Sequence, residues 1–126
     1  MGNKNYRGFR DLIVYQLSYN LACEIFEITK SFPKEEKYSL TDQIRRSSRS
    51  VPSNIAEAWS KRRYPKSFVN KLVDSDGEAS ETTVHLDFAK DHGYIDLKKH
   101  KYFIEKYEEV SKMLNSMIKT PEKFCF

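Results

Sequence analysis

The sequence predicts an all-α protein: an antiparallel up-down-up-down four-helix bundle with a proline-kinked second helix. Three observations carry that reading. Four segments repeat apolar residues at alternating three- and four-residue steps, and the breaks between them fall at helix start or stop residues. No segment alternates with period two, and Asp76-Gly77 sits inside a helical heptad rather than between strands. A chain of 126 residues is one domain by size, residues 1–126, and can bury roughly two-thirds of its unfolded surface in a single core.

The first helix, about 11–31, carries Val14, Leu17, Leu21, Ile25 and Ile28 on one stripe and ends at Phe32-Pro33. The second, about 39–60, starts at Ser39, whose hydroxyl is placed to cap it, with Asp42 three residues on in a variant of the capping box. It continues through Leu40, Ile44, Val51, Ile55 and Ala58. Pro52 interrupts the hydrogen bonding, yet the apolar phase is the same on both sides, so one kinked helix is expected rather than two. The third, about 65–92, opens at Pro65 and holds a heptad through Phe68, Leu72, Ser75, Ala79, Thr82, Leu86 and Ala89. Gly93 stops it. Asp96 then caps the fourth, about 96–119, with Phe103, Tyr107, Val110, Leu114 and Met117 facing the core and Thr120-Pro121 ending it. Short connections between helices of similar length give the bundle.

The first helix carries more apolar surface than a bundle requires. Tyr15, Tyr19, Ala22 and Phe26 form a second stripe, pointing well away from the first. Either it lies under the Phe9 segment and the tail with Phe124 and Phe126, or it is a subunit interface, where Tyr and Phe are enriched.

The formal charge of +4 is unevenly spread. From Thr41 to Lys71 eight Lys and Arg stand against two acids, a balance of +6; from Leu72 to Leu97 seven acids stand against one lysine, a balance of −6. Arg45, Arg46 and Arg49 project opposite the core stripe of the second helix, and Lys61, Arg62, Arg63 and Lys66 follow in the next connection. Both groups are expected to be solvated. Clustered cations beside Trp59 and Tyr64 suit a phosphate backbone and unstacked bases. A neighbouring subunit's acidic face, or plain solvation of a charge-rich helix, would account for them equally well.

The chain lacks the residues of a catalytic site. Serines cluster at Ser47, Ser48, Ser50 and Ser53 without a nearby histidine, and there is no phosphate loop or nucleophile elbow. Glu81 and His85 are four apart, without the second Glu–His pair that a di-metal bundle uses, so no metal and no cofactor is expected. Cys23 and Cys125 read as free thiols. With no apolar run of spanning length, and a polar start from Met1 to Arg10, the expectation is a cytoplasmic protein with no membrane partner. Asn54, just after the kinking proline, is expected to be structural: its amide can serve the carbonyl that Pro52 leaves without a donor, or bond across to another helix. Glu57, one turn after Ser53, belongs with it.

At Ser50-Val51-Pro52-Ser53-Asn54-Ile55-Ala56-Glu57 the string becomes distinctive. With Phe9-Arg10-Asp11-Leu12, Ser31-Phe32-Pro33, Gln43-Ile44-Arg45-Arg46 and Gly93-Tyr94-Ile95 in the same order, the chain resembles the four helix bundle proteins of 23S rRNA intervening sequences, the S23 family. The resemblance implies a bacterial cytoplasmic protein and a homopentameric ring. It further implies kinship with the accessory variability determinant of diversity-generating retroelements, a basic bundle that binds nucleic acid and a reverse transcriptase. No established activity comes with it. Together with the charge pattern it makes a non-enzymatic oligomeric nucleic-acid-binding or scaffolding protein the expectation, with RNA or DNA, a second copy or a reverse-transcriptase-like protein as partner. A structural adaptor docking an acidic protein is the alternative. The run Asp74 to Thr82 departs from the family pattern, matching well only at Gly77 and Glu81, so a thinner, more polar core is expected there.

Overall fold

A computed structural model describes residues 6–126; Met1 to Asn5, part of the polar start, lie outside the described residues. Four helices form: α1 (Ile13–Thr29), α2 (Leu40–Ser60), α3 (Pro65–Asp91) and α4 (Leu97–Lys119). There is no strand among the described residues. Cross-helix pairs establish the direction of each neighbour. Thr29 meets Arg45, Ser47 meets Thr82, Val51 meets Ser75, Asp76 meets Ser111 and Asp87 meets His100. In each of the pairings α2–α3 and α3–α4, one residue number rises as the other falls, so these neighbours are antiparallel. Glu24 of α1 accepts from the Tyr102 hydroxyl of α4 at 2.8 Å, which closes the ring of four.

The core positions of α3 and α4 are the ones their heptads specify, with Phe68, Leu72, Ala79, Leu86, Ala89, Phe103, Tyr107, Val110, Leu114 and Met117 buried alongside Ser75 and Thr82. In α1 the buried face is rotated. Ser18, Ala22 and Thr29 are buried with Val14, Leu21 and Ile25, while Leu17 and Ile28 stay half-buried. Ser18 and Thr29 can occupy such sites because their hydroxyls donate to the carbonyls of Tyr15 and Phe26, three residues back. The middle of α3 is indeed thin. Its buried residues there are the small Ser75, Ala79 and Thr82, and the Ser47 and Thr82 hydroxyls pair at 2.8 Å.

Helix ends follow local chemistry, with two differences from expectation. Asp96 caps α4 by accepting from the Lys99 amide at 2.7 Å. Gly93, at φ +80, closes α3 while the Tyr94 amide donates back to the Ala89 carbonyl, a six-to-one closure available to glycine at little cost. Ser39, by contrast, does not cap α2. Its hydroxyl donates to Glu36 Oε1 at 2.7 Å, and the same carboxylate oxygen accepts from the Leu40 amide at 3.3 Å, so Glu36 is the cap. α1 begins at Ile13 rather than near Asp11, because Phe9–Asp11 form a 3-10 turn and Leu12 is extended. α2 runs unbroken through buried Pro52.

Candidate functional site: a groove and a basic corner

Tyr15, Tyr19, Ala22 and Phe26 come together along α1 and face Pro52, Ser53 and Ala56 of α2 across an open groove of ≈ 540 Å³. Side-chain size explains the opening. On α1 the aromatic rings form a wall: Phe9 meets Tyr15 edge-on with centroids 5.0 Å apart, and Tyr15 lies against Tyr19 at 5.9 Å. Opposite them, Ser53 and Ala56 are too short to fill the space, and Ala22 forms the floor. Phe9 thus covers part of the stripe. The tail lies elsewhere, with Phe124 against Tyr6, Trp59 and Phe68, and Tyr19 remains 51% exposed.

The seven basic positions do not form one patch. Arg45 stacks over Phe26 at 4.5 Å and donates from Nε to Thr29 Oγ1 at 2.7 Å, half-buried rather than solvated. Arg49 reaches the same ring at 5.6 Å and forms the basic rim of the groove, near Glu27. Arg46 turns the other way, to Gln43 and to Glu81 of α3 at 3.5 Å. That engagement also explains the Glu81–His85 pair: the carboxylate bridges Arg46 and the imidazole.

Arg62 is a second correction. Its guanidinium lies 3.8 Å over Trp59 and 5.1 Å from the Phe126 ring, and Nε donates to the Trp59 carbonyl at 2.9 Å. Its own carbonyl accepts from the Phe126 amide. Burial pulls the Arg62 pKa down and pushes the neighbouring Cys125 thiol up. Arg62 therefore clamps the tail and is half-buried rather than fully solvated. What remains open at the α2–α3 corner is Lys61, Arg63 and Lys66, all exposed and engaged in no ion pair among the described residues, beside Tyr64 at 62% exposure. Arg49 and this corner are about 18 Å apart along α2 at 1.5 Å per residue.

Asn54 bonds across to α3, the second of its two expected roles. Lys71 Nζ donates to its Oδ1 at 3.4 Å and also reaches Glu57 at 3.2 Å and Asp74 at 3.9 Å, so Glu57 shares that network. Glu36 is a polar centre that sequence reasoning did not find. Besides capping α2, its Oε2 accepts from the Tyr94 hydroxyl at 2.8 Å. The Ser39 and Tyr94 hydrogen bonds hold its carboxyl below the ordinary range. Tyr94 is 58 residues away in sequence, and no local signal links the two.

Among the described residues no three His, Cys, Asp or Glu side chains gather in a way that could hold a metal ion. Nor is any described helix long and apolar enough to cross a membrane. No curated protein matches the chain. A crystal structure of a protein of unknown function from the S23 ribosomal protein family of Bacteroides thetaiotaomicron VPI-5482 is similar, with 28% identity and a TM-score of 0.76 over 86% of this chain and 96% of that one. The sequence model of the 23S rRNA-intervening sequence proteins matches residues 10–116. Helix number, helix order and this match over most of the chain agree: the chain belongs to the 23S rRNA-intervening sequence protein family.

Proposed function

We propose that the protein is a non-enzymatic, self-associating scaffold that contacts nucleic-acid phosphates through its α2–α3 corner. The observation that carries this reading is the set Lys61, Arg63 and Lys66, exposed and without carboxylate partners among the described residues, next to a projecting Tyr64 ring. Lone cations of this kind exchange condensed counterions for phosphate contacts, and an exposed aromatic ring offers a face to an unpaired base. Repetition of one corner around an oligomer multiplies weak contacts by raising the effective concentration of the next. RNA is the preferred partner on the family's genomic setting, a matter of association. No element is shaped to read base edges, so binding tolerates sequence.

Titration with RNA and with DNA at two salt concentrations tests the reading. Wild type is expected to bind both at low salt, with affinity falling steeply as salt rises. Replacing Lys61, Arg63 and Lys66 with Gln weakens all nucleic acids alike and flattens the salt dependence by about one unit of slope for each phosphate no longer neutralised. Arg62 is left intact, since its loss would free the tail. Unchanged affinity, or no binding at low salt, transfers the basic corner to a protein interface. The apolar α1–α2 groove favours that second reading, an adaptor whose contacts are with protein.

A further inference from the structure

The segment after α4 folds back onto the basic corner and occupies one of its cations. Pro121–Lys123 form a 3-10 turn that packs against α3 as well as α4, and the charges of its Glu122 and Lys123 cancel. Phe124 then enters a cluster of rings, with centroids 6.1 Å from Phe68, 6.3 Å from Tyr6 and 6.5 Å from Trp59. Phe126 behaves differently. It is 76% exposed, its ring lies 5.1 Å from the Arg62 guanidinium, and its amide reaches the Arg62 carbonyl at 3.4 Å, longer than an ordinary N–H···O bond. Burial of Phe124 outweighs one exposed cation–π contact, so Phe124 is the anchor of the tail and Phe126 the part that can be exchanged. The tail lies beyond residues 10–116, the stretch that the family model matches.

Arg62 is the group such an exchange would release. Its place is fixed without Phe126: the guanidinium lies 3.8 Å over Trp59 and Nε donates to the Trp59 carbonyl at 2.9 Å, which leaves both Nη groups for another partner. It has no carboxylate partner among the described residues, and Lys61, Arg63 and Lys66 stand exposed close to it in sequence. A pre-positioned guanidinium among exposed cations suits a phosphate, which it grips through charge-assisted bonds. The Phe126 ring meanwhile supplies what an unstacked base would, a π face against that guanidinium. We propose that Phe126 is an internal stand-in for a base: the tail tip holds Arg62 until single-stranded nucleic acid displaces it, a base replacing the ring and a phosphate taking the Nη groups. This rests on the phosphate-binding reading above and adds Arg62 to that site as its gated member.

A single-stranded RNA oligonucleotide titrated into the full chain at two salt concentrations tests it, with circular dichroism to verify folding. Phe126→Ala removes the ring and leaves Phe124 in place. It should bind about two- to fivefold tighter than wild type, the scale of one exposed cation–π contact, with the same salt dependence. Arg62→Gln in that background should abolish the gain and flatten the salt dependence by about one unit of slope relative to wild type. Cys125, half-buried beside Phe126, reports the displacement itself: in a Cys23→Ser chain, saturating RNA should speed its reaction with a neutral maleimide by about threefold or more. The inference is overturned if folded Phe126→Ala binds no tighter than wild type, if its gain survives Arg62→Gln, or if RNA leaves the Cys125 rate unchanged or slows it. Should neither wild type nor Phe126→Ala bind RNA at low salt, the phosphate-binding reading itself falls, an outcome distinct from equal binding by the two.

Discussion

α2 has two flanks that differ in kind. Towards α3 it meets Thr82 with Ser47 and Ser75 with Val51, and the polar atoms of this seam are paired: Ser47 with Thr82, and Ser75 Oγ with the Val51 carbonyl at 2.8 Å. Towards α1 it presents Pro52, Ser53 and Ala56 to a wall of aromatic rings and leaves ≈ 540 Å³ open. Short side chains occur on both flanks. Where short meets short, the backbones close up and hydroxyls satisfy one another; where short meets Tyr15, Tyr19 and Phe26, the rings hold the helices apart. The closed seam serves stability and the open flank is free to serve a partner.

The largest test of this contrast is to fill both sides, in the Tyr19→Glu background so that self-association does not enter. Ser75→Leu overpacks the seam and strips the Val51 carbonyl of its extra donor. It should cost about 2–3 kcal/mol, a fall in Tm on the order of 10 °C. Ala56→Leu adds comparable volume to the groove and should change stability by about 0.5 kcal/mol or less. Equal losses on thermal denaturation would mean that the groove is no more open than the seam.

A smaller effect sharpens the account of the seam. Ser47→Ala and Thr82→Val should each cost about 1 kcal/mol, since each leaves a buried hydroxyl short of a partner. The double variant should lose less than the sum, by about 0.5–1 kcal/mol, in urea denaturation. Strict additivity would show that the 2.8 Å pair carries no coupling.

The smallest effect lies at the end of α2 shared by both flanks. Because Glu36 has a folded pKa below its ordinary 4.5, its contribution is complete above the ordinary carboxylate range and is lost as pH falls through the lowered value. Glu36→Gln should therefore cost about 0.5–1 kcal/mol at neutral pH, the scale of a lost cap, and nothing once the wild-type carboxyl is protonated. A difference that persists unchanged into acid would remove Glu36 as the ionised cap.

Periodicity and punctuation determined the helices of this protein, because burying one face of a helix demands the three-four spacing whatever the partner. The α3 and α4 core positions, the Gly93 closure and the Asp96 cap were all legible in that way. So was the spare stripe Tyr15, Tyr19, Ala22 and Phe26, since a surplus of apolar surface is a property of one helix. What only the tertiary structure decided depends on which long side chains find partners far along the chain. Arg45 and Arg62 belong to runs of cations in the sequence, yet Phe26, Thr29, Trp59 and Phe126 leave them half-buried, while Arg63 and Lys66 stay exposed. Glu36 outcompetes Ser39 as a cap because folding brings the Tyr94 hydroxyl to its other oxygen. Local sequence specifies which face of a helix is buried; whether an arginine on its edge meets an aromatic ring or water is settled only when the neighbouring helix arrives.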